Sequence, residues 1–435
     1  MVDSFPRGAG LEPLARTRLG RGVGGELAWN TVSFVVMALS TAAAFFIVGR
    51  WHGEAALGVF SQAYAIYVVA SQVVVLGVQF SVLRAAAAMP ATDAAMRPML
   101  WGALGVVLGA GLVTVALGSL SLGAAERLFD SAEVRFALAA SLPGLLFFGA
   151  NKVLISWLNG TRRMRAVALA QGARGALIVL WMLVLSLAEM PSAALSAALA
   201  AAEACLFVAL ALDLWRRAPP CGGASAWRWA RAHARFGGKA LGGGVIMEAN
   251  SRVDVFLLGV FLSDREVGIY SLASMGFEAM LQVCQVLRVS LNPRLARLHA
   301  RGRTAMLQKY ARHALRASYA LLAGLALAAA LLYPLVVNLV FGAAFMASVS
   351  CFALLMAGFA LTSGYRAVDM LLVQAGMPGW HTLVLGGGML ANVALNAALI
   401  PMFGLEGGAL ATALSLPVGV LLLKLAARRL VGISI

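Results

Sequence analysis

Ten ionisable residues lie inside stretches that are otherwise almost wholly apolar: Lys152, Arg174, Glu203, Glu248, Arg252, Asp254, Glu278, Arg288, Arg366 and Asp369. Each costs several kcal/mol in hydrocarbon, so such residues mark function or mutual neutralisation. Guanidinium groups bind phosphate oxygens through a planar fork, and a low dielectric strengthens that contact. Carboxylates in such places can change protonation or hold a sodium ion; Glu248, Asp254 and Glu278 are the candidates for ion coupling. Spacing pairs Glu248 with Arg252 and Arg366 with Asp369, four and three residues apart on a helix. Those pairs read equally as internal neutralisation. Lys152, Arg174 and Arg288 have no acidic residue within one turn.

The elements that must position these charges are membrane spans. Of the 435 residues, 61% are hydrophobic and only 12% charged, about half the charge of a soluble domain. Twelve apolar stretches are long enough to cross a bilayer as helices: 27–49, 59–83, 99–121, 137–158, 166–188, 193–214, 240–262, 268–291, 317–340, 347–373, 381–400 and 408–427. Residues 1–26 form a basic N-terminal segment without a short apolar core, so the first span is expected to remain as an anchor rather than be cleaved. Residues 215–239 read as a basic linker or surface helix, with "WRWARAHARF" placing Arg228, Arg231 and Arg235 on one face and Trp229 and Phe236 on another. Residues 428–435 form a tail. The four cysteines have no paired spacing, so neither a disulfide framework nor a metal site is expected.

Charge sets the orientation. With the N-terminus inside, the internal segments hold 25 lysines and arginines, and the external loops hold four: Arg50, Arg127, Arg135 and Arg265. That is the positive-inside bias of a protein with both termini in the cytoplasm. The net charge of +16 is thus mainly topological, and no nucleic-acid partner is expected. On this orientation Lys152, Arg174, Arg288, Arg366 and Asp369 fall in the cytoplasmic half, with Arg252 near the midplane. Snorkelling to the interface is the alternative for Lys152 and Arg288; Arg174 and Arg252 lie deeper.

A repeat runs through the chain. Shifting "GRWHGEAALGVFSQA" (49–63) by 210 lays Gly49 on Gly259, Gly58 on Gly268, Phe60 on Tyr270, Ser61 on Ser271 and Ala63 on Ala273, and carries Arg84 onto Arg294. Six spans per half insert both halves in the same direction. The fold class is therefore an all-α integral membrane protein of two six-helix bundles, 27–214 and 240–427, related by a pseudo-twofold axis along the membrane normal.

The last hairpin, "NVALNAALIPMFGLEGGALATALS" (392–415), has its own pattern. Pro401 is expected to end the eleventh helix, and Gly404 and Gly408 to form a turn and a close-packing face. Asn392 and Asn396, one turn apart, can bond across helices. The hairpin resembles the C-terminal signature of polysaccharide flippases of the MOP superfamily, the Wzx-type O-antigen and exopolysaccharide exporters. The likeness also takes in "NSRVDVFLLGVFLSDREVGIYSLA" (250–273), "NPRLARLHARGRTAMLQKYARHALR" (292–316) and "WNTVSFVVMALSTAAAFFIVGRWHGEAALGVFSQA" (29–63).

The resemblance implies a non-enzymatic protein of a bacterial inner membrane. It would move undecaprenyl-diphosphate-linked oligosaccharide outward by alternating access, with polymerase and export machinery as further partners and no cofactor beyond a proton or sodium gradient. The expected diphosphate-binding residues are Arg174, Arg252, Lys152, Arg288 and Arg366. A multidrug extruder of the same superfamily handles cations, which this basic lining would repel. A lipid II-type flippase carries the same diphosphate on a chain with extra spans. A membrane glycosyltransferase or ligase would need larger external loops than 122–136.

Overall fold

A computed structural model describes residues 19–90, 93–216 and 225–434, and is helical throughout them. The basic segment 1–18 and part of the linker lie outside the described residues. The first half comprises α1 (Leu19–Phe46), α2 (His52–Val75), α3 (Val78–Ala88), α4 (Met96–Phe129), α5 (Ala132–Ser141), α6 (Gly144–Gly160), α7 (Met164–Leu187) and α8 (Ala197–Arg216). The second comprises α9 (Ala226–Asn250), α10 (Val253–Phe261), α11 (Asp264–Ala300), α12 (Thr304–Val340), α13 (Ser348–Thr362), α14 (Leu371–Gln374) and α15 (Pro378–Ala426).

Eight helical segments are long and apolar enough to cross a membrane, and the bent pair α5–α6 makes a ninth. Two of the eight, Thr31–Val75 and Pro378–Val431, run 45 and 54 residues, well beyond the ~20 that one crossing needs. Each breaks at a glycine with positive φ, Gly53 (89°) and Gly404 (59°), and so supplies two crossings. Among the described residues, length and composition thus support eight or nine apolar spans, against the twelve expected; twelve is reached only by dividing the two long segments at their glycines and counting α9–α10 as one more. Their directions alternate. Val36 and Ser40 of α1 meet Gly172 and Gly175 of α7 in parallel, whereas Tyr319 and Tyr333 of α12 bond to Leu361 and Ser348 of α13 in antiparallel order. In the last hairpin the helix continues through Pro401 and turns at Gly404 instead, because only a residue without Cβ takes that conformation cheaply.

The twofold relation is visible where the halves touch. Gly58 of α2 lies against the backbone of Asp264 and Gly268, and Gly268 of α11 against that of Glu54 and Gly58. The 210-residue shift exchanges these contacts. Gly49 and Gly259, which the shift also pairs, each lie against a phenylalanine of the other half, Phe341 and Phe129, although those two are 212 residues apart. Any Cβ at Gly58 or Gly268 would overlap a carbonyl of the facing helix, so the seam requires glycine on both sides.

The cores show how the bundles lean. One core draws on both halves, including Leu57, Phe60 and Phe148 with Tyr270, Phe341 and Phe359. Toward the end that holds the α3–α4 and α11–α12 connections there are two separate cores, one around Val82, Met99 and Leu154 and one around Leu295, Leu307 and Leu371. The bundles share a core toward one end and have separate cores toward the other.

The linker segment is part of α9, which runs unbroken through residue 240; the break falls at Ser251–Arg252. Its first turns dock on α3 and α4 of the first bundle, with Trp229 against Gly102 and the buried His233 sharing a 2.8 Å hydrogen bond with the Ser81 hydroxyl. Burial pushes the His233 imidazole down to about 4, since desolvation disfavours the charged form.

Candidate functional site: a cationic cavity in the first bundle

A cavity of about 350 Å³ opens below the shared core, lined by α1, α2, α6, α7 and α8. Its polar wall is made of Asn151, Lys152, Gln171, Arg174 and Glu203, with Tyr64 and Phe148 as aromatic surfaces. Glu203 is the anchor, its side chain only 2% exposed. One of its oxygens accepts from Arg174 Nε, and the other from Asn151 Nδ2 at 2.8 Å. Arg174, which sequence spacing left unpartnered, is thus held through a residue 29 positions on. Only Nε is engaged. Both terminal guanidinium nitrogens remain without a hydrogen bond among the described residues, while the group lies 4.5 Å from the Phe148 ring centroid.

Lys152 projects from α6 into the same cavity, its Nζ 5.3 Å from the Phe148 ring centroid. It forms no ion pair among the described residues; Glu203 and, from α9, Glu248 act on it only at longer range. With two cations and one carboxylate, the wall carries about one net positive charge.

No described residue of the second bundle lines the cavity; Arg252 approaches it through Tyr64. Its guanidinium lies 5.3 Å from the centroid of Tyr64, which lines the cavity. The expected Glu248–Arg252 pair does not form. Arg252 instead donates Nη1 and Nη2 to the two carboxylate oxygens of Glu278, at 2.6 and 3.2 Å. The break between α9 and α10 turns Arg252 out of register with Glu248 and toward α11. Its fork is occupied.

Arg288 and Arg366 are not brought to this cavity. They form a separate group in the second bundle. There Asp369 pairs with Arg288 at 3.5 Å rather than with Arg366, whose Nε has no partner. The one-turn spacing of Arg366 and Asp369 fails because 363–367 is a 3₁₀ turn, not an α-helix.

A third polar group lies between α10, α11 and α15. The Tyr270 hydroxyl donates to Asp254 at 2.6 Å. Asn392 donates to the hydroxyls of Thr412 and Ser415 at 3.2 and 3.1 Å, joining the two arms of the last hairpin, and Asn396 donates back to Asn392 at 2.9 Å. The Asn392 amide therefore bonds across helices, and that of Asn396 bonds back within its own. The Asn396 side-chain oxygen is left buried and unpartnered. No cluster of three or more His, Cys, Asp or Glu suited to a metal occurs among the described residues.

Asn151, Gln171 and Tyr64 were not singled out from sequence. Their signal was weak: uncharged polar residues in an apolar span are common, although Asn151 adjoins Lys152.

A family model described as "Polysaccharide biosynthesis protein" matches residues 25–299, more than half of the chain. The chain belongs to that family. Among curated proteins none matches. Solved structures supply the fold. The lipid II flippase MurJ, in an inward closed conformation, superposes with a TM-score of 0.76 at 14% identity, over 92% of this chain and 87% of that one. An inward-facing multidrug resistance MATE transporter of the MOP superfamily gives 0.74 at 12% identity, over 93% and 98%. An outward-facing MATE transporter of the superfamily gives 0.58 at 12%, over 94% and 96%. This member of the polysaccharide biosynthesis family is thus a multi-pass membrane protein with the MOP-superfamily fold.

Proposed function

We propose that the protein moves a lipid-linked, diphosphate-bearing oligosaccharide from the inner to the outer leaflet of a bacterial cytoplasmic membrane, its termini on the cytoplasmic side. The observation that carries this reading is the free fork of Arg174 beside the unpaired Lys152 in a cavity with net positive charge. Two such cations match the two phosphates of a pyrophosphate, and neither must first break an ion pair. Glu203 and Asn151 hold Arg174 so that little rotamer entropy is lost on binding. Tyr64 and Phe148 offer faces on which a sugar ring can stack. The polyprenyl tail would remain in the bilayer while the headgroup occupies the cavity.

Transport by alternating access needs the cytoplasmic ends to close and the external seam to open. At that seam Asp264 accepts from Gln62 at 2.7 Å and from Ser131 at 2.6 Å, and Arg265 donates to Glu54 at 2.8 Å. These contacts close the cavity to the outside and must be exchanged for water when it opens. For energy coupling, Asp254 is the preferred carboxylate, because Glu278 is committed to Arg252 and Asp254 is not in an ion pair. A proton or a sodium ion at Asp254 would loosen or replace its bond to Tyr270.

The test is translocation of polyprenyl-diphosphate-linked oligosaccharide in proteoliposomes holding the full chain. Lys152→Ala is expected to lower the rate about tenfold or more, with Lys152→Arg retaining most of it. Wild-type rates in Lys152→Ala, or transport of organic cations in preference to the diphosphate lipid, would overturn the assignment.

A further inference from the structure

The helical hairpin α11–α12 extends beyond the membrane on the cytoplasmic side. Each helix has 37 residues, about 55 Å at 1.5 Å per residue, against a hydrocarbon core of ~30 Å. Taking the eighth span to end at residue 291, Arg294, Arg297 and Arg301 stand roughly 5, 9 and 15 Å past it. A headgroup layer about 5–8 Å deep on each side therefore meets the first two, and a long arginine side chain can bring the third to it.

These three arginines, with Leu298, enclose a second concavity of about 340 Å³, well away from the transport cavity. All three are exposed and share one face of α11. Two are braced: Arg294 lies 4.8 Å from the Tyr310 ring centroid, and Arg297 Nε donates to the Pro293 carbonyl at 3.1 Å. None is in an ion pair among the described residues, and the sequence has no Asp or Glu between Glu278 and Asp369. The C-terminal dipole of α11 opposes an anion with about half a charge; three full charges outweigh it.

Topology alone did not demand this cluster. The twofold-related hairpin of the first half carries Arg84 in place of Arg294, but Ala87 and Ala91 in place of Arg297 and Arg301. One half meets the orientation rule with alanine where the other concentrates guanidinium groups.

We infer that Arg294, Arg297 and Arg301 form a binding site for lipid-borne phosphate at the cytoplasmic edge of α11. Guanidinium forks select phosphate geometry, and Leu298 gives the apolar contact that a lipid headgroup has and a soluble anion lacks. The phosphate can come from bulk anionic phospholipid or from a polyprenyl diphosphate carrier; the chemistry is shared.

The test uses the purified full chain in nanodiscs, reading retained lipid by native mass spectrometry. One preparation contains phosphatidylglycerol, and another contains undecaprenyl diphosphate in phosphatidylcholine. The triple variant R294Q/R297Q/R301Q is expected to retain about tenfold less of at least one probe, and the single variant R297Q about threefold less. R228Q/R231Q/R235Q removes the same charge elsewhere and is expected to lose less than about twofold. A loss confined to phosphatidylglycerol identifies bulk lipid, and a loss of the diphosphate identifies the carrier; either supports the site. Unchanged retention of both probes, or equal loss in the two triple variants, overturns it. Reading both triple variants in a Lys152→Ala background keeps diphosphate held by the transport cavity out of the comparison, so failure of the transport reading and failure of this site are separable.

Discussion

Two arginine–glutamate pairs, one in each bundle, differ in which nitrogens they use. In the first bundle Glu203 takes Arg174 by Nε, leaving the outer fork open to the cavity. In the second, Glu278 takes Arg252 by both Nη atoms. The Arg252 Nε is buried without a partner. The chemistry of the pair is the same and the outcome opposite: one arginine is presented, the other is tied. An intramembrane charge pair is thus not one kind of object. Its geometry decides whether it serves as a binding group or a brace.

The sharpest way to break this comparison is at the seam where the halves are alike. Gly58→Leu and Gly268→Leu each push a side chain into a facing carbonyl, so each should cost several kcal/mol and abolish translocation. Equivalence of the two is the point. If one is tolerated in a translocation assay while the other is not, the twofold seam is not what closes the external end. Next in size is Arg174→Lys, which keeps charge but loses the fork. Translocation should fall about tenfold, while the thermal unfolding midpoint in detergent moves little.

Arg252→Lys should do the reverse. Losing a bidentate partner for Glu278 is expected to cost about 1–3 kcal/mol of stability, seen as a lower unfolding midpoint, with transport within about threefold of wild type. Equal transport defects in the two lysine variants would erase the distinction drawn between the pairs. The smallest effect belongs to the α9 docking site. His233 is held neutral with its imidazole lowered to about 4, below its ordinary value of ~6.5. Released from its pocket it would take up a proton as pH falls below ~6.5, so docking is weakened progressively between there and about 4 and is fully stable above. At pH ~5.5 the loss is about 1 kcal/mol. Hydrogen exchange of α9 should rise over that window, and His233→Gln should remove the dependence.

Much of this was legible in the chain before any fold was considered. Apolar runs of span length, the distribution of arginine and lysine, and the 210-residue repeat all follow from solvent: hydrocarbon excludes unpaired backbone and charge whatever surrounds them. The Asn392–Asn396 spacing likewise foretold bonding across the last hairpin, because a helix puts residues four apart on one face. The turn fell at Gly404 as expected, but the helix did not end at Pro401. A helix can absorb Pro401 by forgoing one hydrogen bond, whereas reversing the chain needs the positive φ that Gly404 supplies.

The partners of the buried charges could not be read in this way. Local spacing proposed Glu248 for Arg252 and Arg366 for Asp369, and none for Arg174. The actual partners, Glu278, Arg288 and Glu203, come from other helices. The amino-acid sequence by itself determined that this chain crosses a membrane many times, in two like halves, with charges retained inside. Only the tertiary structure decided which of those charges meet and which stay free. Ion pairing depends on helices brought together across tens or hundreds of residues, and on which edge of a guanidinium faces its carboxylate, and no spacing along one chain encodes either.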